Sequence, residues 1–336
     1  MKMQRKIGNG IWYALAFSFA SLYFIFKGLG GTGVRTGFRG VDWWLVGAGF
    51  GIQVMVWLSK AARMYFITAG MGHRLPFARF FQIYLATCFI SHVTPFNSGG
   101  TPLQIYLLNR EGISLGQATA ITAVDLGLNT IMFLLLIPVA LAVNLNLTGA
   151  MFPRAEGSGI SWLLMGLLAA GAVLVLAWIC KGWRRFAWIR KLRAFLIRKG
   201  WFKRILHEWA KFSEGWLLLV RKNRRRVWGA VLSTVVYWLF YLLLAPVIIW
   251  ALGRPGSFWR LIGYQLVFNF AQILVPTPGG SGGSELLLTY LFKGLTGPGK
   301  IGVFVLLWKS YTFFSSLLIG GYFFWKLLRR PRVRTI

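Results

Sequence analysis

Two runs of this chain, 94–102 and 275–285, are rich in Gly and Pro. The first run has the residues of an anion-binding helix start. Thr101, Pro102 and Gln104 have the spacing of an N-cap, a first helical position and a capping-box partner. Backbone N–H groups at a helix start carry partial positive charge and bind anions such as a phosphodiester. The alternative is a tight turn whose glycines allow close packing against a neighbouring helix. The residues that we predict to bind an anionic headgroup are Asn97, Ser98, Gly99, Gly100, Thr101, Gln104 and Arg110.

The second run aligns with the first without gaps and differs from it by one carboxylate. Residues 278–286 match residues 95–103 with five of nine positions identical, and Glu285 takes the place of Pro102. A carboxylate in the first turn stabilises the positive helix end, and when ionised it repels a phosphate. We therefore predict that Glu285 carries a proton or receives a cationic group, the alternative being a cap that only stabilises the turn. The candidate residues of this run are Pro278, Gly279, Gly280, Ser281, Gly282, Gly283, Ser284 and Glu285.

Three titratable residues, His92, Asp125 and Lys309, lie inside apolar stretches. A charge at the centre of an apolar helix costs at least about 2.5–3.5 kcal/mol, so such residues usually face a protein interior and mark a pathway. Asp125 lies 25 residues after Gly100 and Lys309 lies 26 after Gly283, so we predict that these two charges meet as an ion pair. Two alternatives stay open: the pair either opens in transport or is permanently structural, and His92 either titrates or only packs.

The stretches that contain these residues are those of an integral membrane protein. Of the 336 residues 57% are hydrophobic and 13% are charged, against about 25% charged in a soluble domain. Basic residues outnumber acidic ones by 38 to 7. Because they concentrate in loops, anionic phospholipid is the expected partner rather than nucleic acid. We predict an all-α fold with six full spans, over about 11–28, 43–59, 115–143, 160–180, 228–252 and 301–325.

Two further apolar stretches, about 80–109 and 261–295, are broken by the Gly- and Pro-rich runs. Non-helical backbone within a membrane is tolerated where protein buries it or water hydrates it, so we predict two re-entrant hairpins. Counting Lys and Arg gives 29 on one face and 8 on the other, which predicts a multi-pass protein of the cytoplasmic (inner) membrane with both termini cytoplasmic. The halves 1–150 and 160–325 are then inverted repeats, an arrangement that puts a transport site near the bilayer midplane.

Residues 181–226 form a basic cytoplasmic insertion in the second repeat, with 16 basic residues, 2 acidic residues and 5 tryptophans. This mixture is typical of amphipathic helices in the headgroup layer of an anionic leaflet. A positive-inside loop with no further role is the alternative. We expect residues 326–336 to be a basic cytoplasmic tail.

No motif for covalent catalysis or nucleotide binding accompanies the intramembrane charges. The chain has no Walker loop, no nucleophile with a neighbouring base and no Cys/His cluster of metal-ligand spacing. We therefore predict no catalytic residue, no metal and no cofactor. The energy for any transport would come from a gradient or from consumption of the product.

The two runs, at 94–112 and 275–285, resemble the flippase-like transmembrane family related to the membrane domain of lysylphosphatidylglycerol synthases. The resemblance covers most of the chain and implies a multi-spanning, inverted-repeat domain that moves phospholipids such as lysylphosphatidylglycerol between leaflets. Bifunctional members also carry a soluble domain that transfers an aminoacyl group from transfer RNA to phosphatidylglycerol. This chain ends at Ile336, shortly after Trp325, so we expect no enzymatic activity by itself. Many members have Gly-Glu and an Arg where this chain has Gly100-Thr101 and Gln104.

The sequence thus favours a flippase-like translocator of an anionic or aminoacylated phospholipid. The alternatives are the membrane part of a phosphatidylglycerol lysyltransferase system, an ion-coupled transporter of an anionic solute, and a membrane scaffold. A second copy of the chain and a separate lipid-modifying enzyme are the protein partners left open.

Overall fold

The computed structural model describes residue 23 and residues 37–143 and 223–330, apart from positions 255, 274 and 298. These residues form helices and turns and contain no β-strand. The helices are α1 (Trp43–Gly70), α2 (Phe77–Val93), α3 (Gly100–Arg110), α4 (Leu115–Val143), α5 (Arg224–Ala251), α6 (Phe258–Gln272), α7 (Gly283–Thr296) and α8 (Ile301–Arg329). Helix α8 is continuous but contains a π-helical turn, Ser310–Phe314.

Four of these helices, α1, α4, α5 and α8, are long and apolar enough to cross a membrane. Their apolar stretches have 22 to 29 residues, and even the shortest is roughly 33 Å long at 1.5 Å per residue. The predicted all-α integral membrane fold is therefore confirmed. Apart from residue 23, the predicted spans at 11–28 and 160–180 lie outside the described residues, as do residues 181–222 of the predicted insertion and 331–336 of the predicted tail. The predicted bounds 226 and 326 are wrong, because α5 begins at Arg224 and α8 continues to Arg329.

Helix α1 begins where the sequence predicts but is longer than predicted. Asp42 caps its start, since Asp42 Oδ1 accepts hydrogen bonds from the N–H groups of Trp44 and Leu45 at 2.9 and 3.3 Å. The predicted end at residue 59 is wrong, because the helix continues to Gly70. Lys60 and Arg63 therefore lie within a membrane-length helix and not in a loop.

Each Gly- and Pro-rich run forms the tip of a helical hairpin. Helices α2 and α3 pack together around a 3-10 turn, Pro95–Asn97, which we call the first tip. Helices α6 and α7 pack around Pro278–Gly280, the second tip. The two tips contact each other, so both interruptions lie at one place in the fold.

Helix packing repeats between the two described halves of the chain. Helices α1 and α5 pack along each other, α2 packs on α8, and α6 correspondingly packs on α4. Helix α3 packs on α4 as α7 packs on α8. One apolar core, which includes Met64, Phe80 and Phe324, joins the first four helices to the end of α8. A second, which includes Phe268 and Phe304, joins α5 to α8. The tips are held where these two halves meet.

Candidate functional site

The two tips have matching backbone geometry. Phe96 and Asn97 have φ angles of 53° and 54°, and Gly279 and Gly280, which align with them, have 60° and 67°. In the first tip the Ser98 N–H donates to the Pro95 carbonyl at 3.1 Å. In the second tip the Ser281 N–H donates to the Pro278 carbonyl at 3.0 Å. The gapless alignment is therefore reproduced in the backbone at the two left-handed positions and in the hydrogen bond that closes each turn. After the turns the backbones differ, since Gly99 has a φ of −77° and Gly282 has a φ of 89°.

The first tip holds two consecutive non-glycine residues in the left-handed region. Such residues cost about 1–3 kcal/mol each and cluster at functional sites. Glycine would relieve this strain, as it does in the second tip. Phe96 is also 61% exposed, so the strain presents an aromatic ring at the surface of the protein.

The predicted capping box at the first tip is wrong. The N-cap of α3 is Gly99 and not Thr101, and no side chain caps the helix start. The N–H of Gly99 donates to Thr94 Oγ1 at 3.0 Å, and the N–H of Ser98 donates to the Pro95 carbonyl. These two amides are therefore not the free donors that we predicted, because Thr94 folds back over the turn and accepts one of them.

Gly100 serves the close packing that was the alternative reading. A Cβ atom at this position would overlap Ser91 Oγ on α2 and would lie 3.2 Å from the Thr87 carbonyl. Gln104, one turn further along α3, is buried, and its Nε2 has no hydrogen-bond partner among the described residues. Of the residues predicted to bind a headgroup at this tip, Gln104 therefore retains an unused donor.

Glu285 joins the second tip to the last helix. Its Oε2 accepts hydrogen bonds from the Gly282 N–H at 2.8 Å and from Ser284 Oγ at 2.9 Å. Its Oε1 lies 3.1 Å from Lys309 Nζ on α8, and the side chains of both residues are almost fully buried. The cationic group that Glu285 receives in this structure is thus Lys309, and the carboxylate also caps the start of α7.

Lys309 continues the connection to the first hairpin. Its Nζ lies 4.8 Å from the ring centre of Phe313, and that ring lies 5.0 Å from the ring of His92 near the end of α2. A Cβ atom on Gly279 would lie only 2.6 Å from the Phe313 ring, so the tip packs directly on it. His92 Nδ1 is buried and without a partner among the residues described. The two tips, Glu285, Lys309 and His92 therefore form one polar site.

The π-helical turn of α8 starts directly after Lys309 and holds this site together. π-Turns inside helices occur frequently at functional sites. Tyr311, within the turn, donates its hydroxyl to the Val46 carbonyl of α1 at 2.7 Å. Gly49 allows this approach, since a Cβ atom there would lie 2.8 Å from the Tyr311 ring.

Asp125 belongs to a second buried polar cluster, between α1, α4 and α5. Its Oδ1 lies 2.7 Å from Arg63 Nε and its Oδ2 lies 2.9 Å from Lys60 Nζ. The predicted pair between Asp125 and Lys309 is therefore wrong. The physical reason is the longer α1, which brings two cations to Asp125 and leaves Lys309 to Glu285.

Sequence reasoning missed Lys60 and Arg63 as site residues. The predicted span ends before Lys60, its first charge, although six of the next seven residues are apolar. The i, i+3 spacing, which places both cations on one face of a helix, was the available signal.

Arg110 lies at the far end of the first hairpin from the tip. It donates hydrogen bonds to the Leu328 carbonyl at 3.3 Å and to the Arg330 carbonyl, and so ties α3 to the end of α8. Glu111 beside it pairs with Arg79 at 3.4 Å. These contacts support a role of Arg110 and Glu111 in anchoring the ends of their helices. The predicted headgroup contact of Arg110 stays a prediction.

A cavity of about 330 Å³ lies between α6 and α7, away from the tips. Gly294 and Leu295, which line it, are nine and ten residues beyond Glu285, roughly 14 Å along the helix. The cavity is lined by Arg260, Tyr264, Tyr290, Leu291, Gly294 and Leu295.

Within 37–143 and 223–330, no group of three or more His, Cys, Asp or Glu residues could hold a metal ion.

Membrane-length helices and two broken hairpins that meet beside buried charges define a multi-pass, α-helical membrane protein. Residues 11–320 match the family described as the lysylphosphatidylglycerol synthase TM region, and the chain belongs to this family. The resemblance noted from the sequence is thereby confirmed. A UPF0104 membrane protein of Archaeoglobus fulgidus is 26% identical over 290 residues, covering 83% of this chain and 85% of that protein. Another, from Methanocaldococcus jannaschii, is 23% identical over 287 residues, covering 84% of each.

Proposed function

We propose that the protein translocates a phospholipid with an anionic or aminoacylated headgroup, of the lysylphosphatidylglycerol type, across the cytoplasmic membrane. The observation that carries this proposal is the contact between the two tips beside the buried Glu285–Lys309 pair. Polar groups at membrane depth are costly and usually line a transport pathway. A flippase needs such a pathway for the headgroup, while the acyl chains stay in lipid.

Re-entrant hairpins fit the lengths of the hairpin arms. Helices α3 and α7 have 11 and 14 residues, which is roughly 17 and 21 Å, against a hydrocarbon core of about 30 Å. These returning arms are too short to span, which supports the proposal that each hairpin enters and leaves on one side. The four membrane-length helices are part of the proposed six spans. The pairwise repetition of helix packing supports inverted repeats, which place the meeting tips near the midplane.

The charge distribution supports cytoplasmic termini even after Lys60 and Arg63 are removed from the loop count. The predicted inner face then keeps 27 basic residues against 8 on the outer face. The other three basic residues, Lys60, Arg63 and Lys309, lie on helices that are long and apolar enough to cross a membrane. Anionic phospholipids of the inner leaflet are the partners that the loop charges favour.

In the proposed path the headgroup passes between the tips. The first tip is exposed and the second is mostly buried, so the headgroup would reach the first tip before the buried Gln104 and the Glu285–Lys309 pair. An aminoacylated headgroup offers Glu285 an ammonium group in exchange for Lys309, and its phosphate offers Lys309 an anion. Glu285, Asp125 and His92 are the protonatable groups that would couple this exchange to a proton gradient.

The test is leaflet-resolved transfer of fluorescent phospholipids in proteoliposomes of the full chain. We compare phosphatidylglycerol, lysylphosphatidylglycerol and phosphatidylcholine in the wild type, in Glu285→Gln and in Glu111→Gln. Glu111 is the matched control, because it also pairs with a basic residue but lies at the far end of the hairpin. We expect transfer that depends on the headgroup, is lost in Glu285→Gln and is retained in Glu111→Gln.

Other outcomes would favour the alternatives. Lipid transfer equal in all three proteins would exclude a role of the tips. No lipid transfer under an imposed pH gradient or membrane potential, but uptake of an anionic solute, would favour an ion-coupled transporter. Transfer that needs a separate lipid-modifying enzyme would make this chain one part of a lysyltransferase system. Transfer that needs a second copy of the chain would make a homo-oligomer the active form.

A further inference from the structure

The second buried cluster holds more positive charge than its own carboxylate balances. Lys60 and Arg63 both pair with Asp125, so the three groups carry a net charge of +1. Asp125 and Arg63 are almost fully buried, and only Lys60, with 13% of its side chain exposed, reaches the surface. An uncompensated buried charge costs several kcal/mol, so this arrangement calls for an additional anion.

No other carboxylate in the described ranges is within 4 Å of these cations. Asp42 caps α1, Glu111 pairs with Arg79, and Glu285 pairs with Lys309. The surplus charge therefore has no described partner within the protein.

The hydrogen-bond donors of Arg63 are likewise incompletely used. Its Nη1 lies at the long distances of 3.5 and 3.4 Å from Asn129 Oδ1 and Thr234 Oγ1. Its Nη2 is buried and finds no acceptor in the described part of the chain. The Arg63 guanidinium carbon lies 5.5 Å from the centre of the Tyr237 ring, within cation–π distance. A planar fork with a free donor is suited to a phosphate oxygen.

We propose that Arg63 and Lys60, while still paired with Asp125, also bind the monoanionic phosphate group of a ligand. Arg63 Nη2 donates to one phosphate oxygen and Lys60 Nζ to another, which brings the cluster to neutrality. The ligand enters beside Lys60, the exposed member. Both α1, which carries Lys60, and α4, which carries Asp125, are long and apolar enough to cross a membrane, which favours a phospholipid over free phosphate. This inference extends the proposed function, because it assigns the same substrate class to a site other than the tips.

The test measures binding without transport, by calorimetric titration of the full chain in nonionic detergent. The probes are dihexanoyl phosphatidylglycerol and inorganic phosphate. We expect Lys60→Gln to weaken phosphatidylglycerol binding by about tenfold or more, the loss of one charge-assisted hydrogen bond. We expect Asp125→Asn to tighten it, because the competing carboxylate becomes neutral. Arg79→Gln is the matched control and should leave binding unchanged.

Opposite signs for Lys60→Gln and Asp125→Asn are the signature of an anion site, since a general folding defect would weaken binding in both variants. Lys60→Gln keeps the Arg63–Asp125 pair and leaves the cluster neutral, so we expect it to fold. Phosphatidylglycerol binding unchanged in Lys60→Gln would overturn the inference, even if the tip variants still abolish lipid transfer. Selective binding of phosphatidylglycerol assigns the ligand to the membrane, and equal binding of inorganic phosphate assigns it to solution.

Discussion

The Glu285–Lys309 pair makes a quantitative prediction about stability. Replacing Lys309 with Met removes the buried cation that pairs with the Glu285 carboxylate, which keeps its hydrogen bonds from the Gly282 N–H and the Ser284 hydroxyl. Breaking a buried ion pair from one side costs about 3–5 kcal/mol, whereas replacing both partners is often nearly neutral. We therefore expect Lys309→Met to lower the free energy of unfolding by about 3–5 kcal/mol. The double variant Glu285→Gln/Lys309→Met should recover most of that loss.

The assay is unfolding in mixed detergent and dodecyl sulfate micelles, followed by the fluorescence of the 17 tryptophans. The matched control is Arg79→Met, which breaks the partly exposed pair with Glu111 and should cost no more than about 1 kcal/mol. A Lys309→Met effect no larger than this control would refute the reasoning. So would a double variant whose loss is the sum of its two single variants, since the two charges would then not be coupled.

Three further predictions concern backbone positions and use the same unfolding assay. Gly100→Ala should lower the free energy of unfolding by about 1–3 kcal/mol because its methyl group overlaps Ser91. The control Gly127→Ala, which has open space around it, should leave that free energy unchanged or raise it. Equal effects of the two substitutions would contradict the close packing at Gly100. Phe96→Gly should stabilise by about 1 kcal/mol by relieving a positive φ, and a loss of stability would mean that the ring packs in the membrane. Asp42→Ala should cost about 0.5–2 kcal/mol through the lost cap of α1, and no change would show that its two hydrogen bonds are replaced by water.

Local patterns predicted the fold where one segment determines its own conformation. The apolar stretch 115–143 coincides with α4. Pro95 and Pro278 begin the two tips, each at the first position of a 3-10 turn, where the missing N–H of proline breaks no hydrogen bond. The matching tips were predicted from the gapless alignment of the two runs. The left-handed backbone at Phe96 and Asn97 was not predicted, because a phenylalanine does not indicate it. Residues before 37 and between 144 and 222 leave the corresponding predictions untested.

Partners across the fold were not predictable in the same way. The sequence places Asp125 and Lys309 at near-equivalent positions of two repeats, but equivalence does not imply contact. Asp125 pairs with residues 60 and 63 because α1 extends beyond its first charge, and burial then favours the nearest cations. A charged residue inside a helix is tolerated when its partner is also buried, and that partner is known only once the helices are packed.

The central claim is that the meeting tips and their buried ion pair carry a lipid headgroup through the membrane. The most direct measurement is chemical quenching of fluorescent phosphatidylglycerol in proteoliposomes that contain the double variant Glu285→Gln/Lys309→Met. Its stability should be near that of the wild type, so a transport defect cannot come from unfolding. We predict that only the outer-leaflet lipid is quenched in this variant, whereas the wild type makes nearly all of it accessible. Wild-type transfer by the stable double variant would contradict the claim and leave the pair a purely structural role.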